Sequence, residues 1–162
     1  MNTGKIEIIC GSGKGKTSMA FGRALQALTS HRDVIMIQFL KGSQRMENQE
    51  IIKRLEPEMK VFRFEKSDYY FENLSEEAKK EELFNIHNAL NYARKVLTTG
   101  ECELLVLDEV LGLVDQNIIT AAELTQILEC RDEADVILTG KALPEEIAHV
   151  ADRIVTVESQ SK

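Results

Sequence analysis

The residues best equipped for chemistry lie near the start of the chain, in Gly11-Ser12-Gly13-Lys14-Gly15-Lys16-Thr17-Ser18. Glycines at this density let a backbone curl until successive N–H groups face one anion. A helix opening directly behind the loop adds the positive end of its dipole. Lys16 then supplies a cation to the terminal phosphates of a nucleotide, and the Thr17 hydroxyl offers an oxygen to Mg2+. The run departs from the pattern GxxxxGK[ST] at one place: residue 10 is Cys10, and the leading glycine stands one position later, at Gly11. The expectation is a site for Mg-ATP in which Gly11 through Ser18 hold the phosphates.

Two further segments end in polar residues suited to the same ligand. Leu104-Leu105-Val106-Leu107 is an apolar run that delivers Asp108 and Glu109 at its end. Ligands of wound parallel sheets sit beyond the C-terminal ends of strands, so either carboxylate would reach Mg2+ directly or through water. Thr17, Asp108 and Glu109 are thus the candidate metal ligands, and Lys16, Thr17 and Glu109 the candidate catalytic residues. Val136-Ile137-Leu138 likewise runs into Thr139-Gly140-Lys141. Lys141 is either the exposed cation of an ordinary turn or a second positive group near the ligand.

Positioning these residues requires a particular frame. Short β-rich runs at Ile6–Cys10, Val34–Phe39, Val61–Phe64, Leu104–Leu107, Val136–Leu138 and Ile154–Val157 alternate with helical patterns near Lys16–Thr29, Met46–Leu55, Glu76–Leu97, Ala121–Glu129 and Glu145–Val150. Continuously apolar strands between helices read as a wound α/β fold of the P-loop NTPase type, a mostly parallel sheet with helices on both faces. In the longest helix, capped by Asn73 or Ser75 and stopped by Gly100, the residues Leu83, Ile86, His87, Leu90, Ala93 and Leu97 form one stripe, which makes His87 a packed histidine. Leu40–Arg45 and Glu65–Leu74 read as long loops. Residues 1–162 fit one nucleotide-binding domain.

Bulk composition narrows the function. A net charge of −7 excludes a non-specific nucleic-acid binder, which needs surplus Lys and Arg to neutralise phosphates. The three cysteines, Cys10, Cys102 and Cys130, lack CxxC spacing and read as small buried hydrophobes in a reducing, cytoplasmic setting. No apolar run approaches the ~20 residues of a membrane span, and the opening residues do not resemble a signal peptide.

The octet GSGKGKTS followed by Ala20-Phe21-Gly22 resembles the loop of the P-loop-type ATP:corrinoid adenosyltransferases, with the same displaced glycine and the same extra lysine, Lys14. The resemblance continues in order through Gln38-Phe39-Leu40-Lys41-Gly42, Leu107-Asp108-Glu109, Leu138-Thr139-Gly140-Lys141 with Pro144-Glu145-Glu146, and Ala151-Asp152-Arg153-Ile154-Val155-Thr156. It implies transfer of the 5′-deoxyadenosyl group of ATP to the cobalt(I) of a reduced corrinoid, with release of tripolyphosphate and no general base. It also implies Lys41 and Lys141 as ligand contacts, with Lys141 standing where the family usually has arginine. The family places aromatics over cobalt after the third strand; here that segment is Ser67-Asp68-Tyr69-Tyr70-Phe71-Glu72, so Tyr69, Tyr70 and Phe71 take that role. A homodimer and a reductase partner are further expectations of the resemblance. The P-loop alone leaves open an ATP-binding protein without corrinoid activity, or another P-loop ATPase or kinase.

Overall fold

A computed structural model describes residues 3–42, 44 and 49–161. Strands β1 (Ile6–Cys10), β2 (Val34–Gln38), β3 (Met59–Phe62), β4 (Leu104–Asp108), β5 (Asp135–Gly140) and β6 (Arg153–Thr156) form one sheet in the order β3-β2-β4-β5-β1-β6. All pairings among them are parallel, so every strand ends at the same edge. That edge collects the candidate residues.

Burial on both faces follows from the alternation of side chains along each strand. Ile6, Ile8, Ile35, Ile37, Leu105, Leu107, Val136 and Leu138 point to one face, where they meet α3 (Glu76–Thr99), α4 (Val110–Asp115), α5 (Ala121–Glu129) and α6 (Glu145–Ala148). Ile9, Val34, Met36, Val106 and Ile137 point to the other, against α1 (Lys16–Thr29). Helix α1 presents Ala20, Ala24 and Ala27 to the strands, and these small side chains let it lie close to the sheet. Helix α2 (Gln49–Lys53) packs beside β3.

Helix α3 shows how its ends are fixed. Ser75 accepts a hydrogen bond from the Ala78 amide at 3.2 Å, and Gly100 closes the far end in the left-handed region at φ 67°. Of the two candidate caps, Ser75 is the one used. The buried stripe is Ile86, Ala89, Leu90, Ala93, Val96 and Leu97, which turns His87 outward. His87 is therefore exposed rather than packed, its Nδ1 lying 2.7 Å from Leu83 O within the helix. Cys10 and Cys102 are buried as expected, whereas Cys130 is only half-buried with its Sγ 3.4 Å from Gln126 O.

Two other readings are corrected. The third strand lies at Met59–Phe62 instead of Val61–Phe64, since pairing with β2 begins at Val34↔Met59. Phe64 falls beyond it and joins Phe62 and Tyr92 in an aromatic cluster with centroids 5.4–6.4 Å apart. Helix α4 occupies a stretch for which no helix was expected. The helix expected over Met46–Leu55 is described from Gln49 onward, and its start lies outside the described residues. Among the described residues no helix is long and apolar enough to cross a membrane.

Candidate functional site

Sheet order places β4 between β2 and β5, so the residues leaving these three strands converge. Asp108, the last residue of β4, is fully buried, and its carboxylate is the centre of the convergence. Thr17, in the first turn of α1, donates its hydroxyl to Asp108 at 3.0 and 3.1 Å from the two oxygens. Thr139, near the end of β5, donates to Oδ1 at 2.6 Å. Lys41 brings its ammonium to 2.6 Å from Oδ2, and Gln38 of β2 approaches the same oxygen at 3.4 Å. A carboxylate buried this completely persists only with such a set of charge-assisted partners.

Lys41 has a second contact. Its Nζ donates to Thr17 Oγ1 at 3.1 Å, so the ammonium bridges the hydroxyl and the carboxylate. These are oxygens the sequence assigns to Mg2+. Lys16 folds back onto its own loop, with Nζ 2.6 Å from Gly13 O. Ser12, Lys14, Gly15 and Ser18 are exposed, Gly13 is buried, and Gly11 is half-buried. The octet thus lies at the sheet edge with four of its eight residues exposed.

Glu109 sits at φ 64° as the residue leading into α4, and its amide donates to Thr139 Oγ1 at 2.7 Å. The Thr139 hydroxyl thus links the two neighbouring acids, accepting from the backbone of one and donating to the side chain of the other. Burial raises the Glu109 pKa above the ordinary carboxylate range; Lys41 and Lys16 oppose that rise, while Asp108 adds to it. Lys141 is exposed, and its carbonyl accepts from the Gly11 amide at 3.1 Å. Its backbone thus touches the glycine-rich loop.

The aromatic segment reaches the same edge from β3. The Tyr70 ring packs over Gly42, so closely that a Cβ at that glycine would stand 2.7 Å from the ring. Tyr69 is 71% exposed. Phe71 is half-buried against the larger core cluster, and the Lys79 ammonium lies 5.7 Å from its ring centroid. Beside Lys41 opens a cleft of about 740 Å3 whose walls include Gln38, Gly42, Arg63, Glu65 and Ser67. Glu65 accepts from the Leu40 amide at 2.9 Å, and burial raises its pKa to about 7.

Thr17, Asp108, Glu109, Lys16 and Lys41 are site candidates from the sequence, and the fold gathers these five. Thr139, Gln38 and Arg63 have no assigned role in the sequence, although the first two stand in runs quoted for the site; Arg63 Nε donates to Gln38 Oε1 at 2.8 Å. Each lies at or just beyond the end of a strand, on the edge that carries the acids, and that shared position is the signal that could have found them.

Comparison with known proteins bears on the family and the fold. A family model described as ATP:corrinoid adenosyltransferase BtuR/CobO/CobP matches residues 2–162. The corrinoid adenosyltransferase of Escherichia coli (strain K12) is 26% identical over 152 residues, covering 93% of this chain and 74% of that protein. The corrinoid adenosyltransferase CobA of Salmonella typhimurium (strain LT2) is 27% identical with the same coverage. Among solved structures, the KaiC-like protein PH0186 of Pyrococcus horikoshii OT3 superposes with a TM-score of 0.55 at 14% identity, covering 98% of this chain and 74% of that one. That likeness concerns the fold alone.

Proposed function

The chain belongs to the ATP:corrinoid adenosyltransferase family BtuR/CobO/CobP, and we propose that its Asp108-centred site holds Mg-ATP by the triphosphate while cobalt(I) of a corrinoid attacks C5′ of the ribose. The C5′–cobalt bond forms as the C5′–oxygen bond breaks, and tripolyphosphate leaves with the electron pair. Residues 1–162 act in this reading as one nucleotide-binding domain.

The observation that carries the proposal is the meeting of Thr17, Lys41 and Asp108 within 3.1 Å of one another. Among the described residues no group of three or more His, Cys, Asp or Glu side chains forms a protein-only metal cage. A hydroxyl and one or two carboxylates are nevertheless the donor set suited to Mg2+, which keeps waters and takes phosphate oxygens to complete its shell. Thr17, Asp108 and Glu109 would hold it, and it would supply charge neutralisation on the departing triphosphate. Lys41, now on the same two oxygens, is then the cation free to turn to the phosphates, alongside Lys16.

No side chain need remove a proton, because cobalt(I) carries none. The protein's contribution is to fix the leaving group and align C5′. The cleft beside Lys41, one of whose wall residues, Gly42, lies under the Tyr70 ring, is our candidate for the acceptor. Apolar ring surface suits the broad face of a corrin and excludes water from cobalt. Because the acceptor must arrive as cobalt(I), the reading includes a reductase partner, and it keeps the homodimer as an expectation of the family.

The test is optical. Mixing the protein with Mg-ATP and cob(I)alamin should convert the cobalt(I) absorbance to that of an alkylcobalamin, with omission of either substrate leaving the spectrum unchanged. A chain that binds Mg-ATP but never forms the cobalt–carbon bond refutes the transfer reading and leaves only nucleotide binding.

A further inference from the structure

Beyond β6 the backbone does not leave the sheet but runs along the phosphate loop. The Val157 amide donates to Cys10 O at 2.7 Å, prolonging the β1–β6 pairing, and Val157 O accepts from the Gly13 amide at 2.9 Å. Two residues later Ser159 Oγ accepts from the Lys14 amide, also at 2.9 Å. The approach is close. A Cβ on Gly11 would lie 2.4 Å from Val157 O, and one on Gly13 would lie 2.8 Å from the backbone of Glu158. Gly11 also adopts φ +113°, a conformation that side chains disfavour.

These contacts account for the displaced glycine. Cys10 is still a strand residue, paired with Gly140 on one side and Thr156 on the other. The first residue that must both turn and admit a neighbouring backbone is Gly11. The amides of Gly13 and Lys14 are committed to the segment after β6. Donors for an anion therefore come from the start of α1, where Lys16, Thr17 and Ser18 occupy the turn whose N–H groups have no partner within the helix.

We infer that Val157–Ser159 is a positioning element of the phosphate site, with Ser159 as its polar anchor. A glycine-rich loop loses more conformational freedom than any other when a ligand orders it. Fixing it through the Gly13 and Lys14 amides sets the curvature before the triphosphate arrives, and a preorganised cradle binds more tightly. Ser159 touches no reacting atom in this account; it acts through the Lys14 amide.

The inference rests on reading the octet as a phosphate site, and the experiment separates the two. Mg-ATP and tripolyphosphate are each titrated into wild type, Ser159→Ala and Ser159→Thr, and hydrogen exchange of the Gly13–Lys14 amides is followed in the free proteins. Ser159→Ala should weaken both ligands about two- to fivefold, raise KM for ATP without lowering kcat, and speed exchange at Lys14. Ser159→Thr, which keeps the hydroxyl, should restore all three. Affinity unchanged in Ser159→Ala, or a loss that threonine does not restore, overturns the positioning role. Tighter binding in Ser159→Ala overturns it too, because the segment would then compete with phosphate for the loop amides. Wild type that binds neither ligand would sink the phosphate-site reading itself.

Discussion

Around Asp108, side chains from α1, β2, β5 and the loop after β2 meet a carboxylate with no solvent exposure. Around Tyr69–Phe71, rings are carried by a loop and a single 3-10 turn, and Tyr69 is 71% exposed. The first region is a polar network in which every member fixes another. The second is surface, anchored at two points: Tyr70 on Gly42 and Phe71 on the core. On the proposed function, the difference would match two tasks. Phosphate charge must be met by donors at set distances, whereas a corrin face asks mainly for apolar area near the right place.

Removing the centre of the network should give the largest effect. Asp108→Ala leaves Lys41 buried without its counter-ion and should cost about 3–5 kcal/mol of stability, read by denaturant unfolding, together with loss of Mg-ATP binding. Stability within about 0.5 kcal/mol of wild type, the range of ordinary surface changes, would mean the network does not hold this end together. Lys16→Ala tests the ligand side separately. It should weaken ATP binding by about 1.5–3 kcal/mol, one to two decades, while the melting temperature stays near wild type because the half-buried ammonium donates its hydrogen bond to Gly13 O of its own loop.

The aromatic region should respond differently to its two anchors. Phe71→Ala should lower stability by about 1–2 kcal/mol, from lost burial against the core, and so register in melting. Tyr70→Ala should leave melting and ATP affinity nearly unchanged while raising KM for the corrinoid. Paired titrations of ATP and cob(I)alamin against both variants check this. Loss of ATP binding in Tyr70→Ala would merge the two regions into one.

Glu65 joins them, since its carboxylate accepts from Leu40 in the segment that carries Lys41. Its pKa is raised to about 7, chiefly by burial. Between the ordinary carboxylate pKa and about 7 the folded protein holds a proton that the unfolded chain has released, so stability falls as pH rises through this window. Glu65→Gln, which keeps an oxygen for the Leu40 amide, should gain about 1 kcal/mol at pH 8, discounted for partial solvent contact, and little at pH 5. Equal effects at the two pH values in thermal melts would remove the buried-acid account.

The same contrast explains what was legible beforehand. β1, α1 and α5 stand where the residues indicated, because apolar strands and a glycine-rich junction into a helix carry strong local signals. Helix α4 carries almost none: Val110-Leu111-Gly112-Leu113-Val114-Asp115 is short, apolar on several sides and interrupted by glycine, so periodicity does not separate helix from strand. In Met59–Phe64 two alternating patterns overlap by two residues, and only pairing with β2 chooses between them. The acids and Thr17 were visible as a motif, but Thr139 and Gln38 acquire meaning only when β4 lies between β2 and β5. His87 shared the apolar stripe in spacing, yet the neighbouring Ile86 and Leu90 set the helix rotation and left it outside. The contact of Val157–Ser159 with the loop joins residues far apart in the chain, and no local pattern announces it.

The central claim is that the phosphate end holds a triphosphate as a leaving group rather than as a substrate for hydrolysis. Phosphorus NMR of the protein with Mg-ATP and cob(I)alamin reads this directly. The account predicts stoichiometric tripolyphosphate for each cobalt–carbon bond formed, and no release of ADP when cob(I)alamin is omitted. ADP and inorganic phosphate appearing without the corrinoid would contradict it.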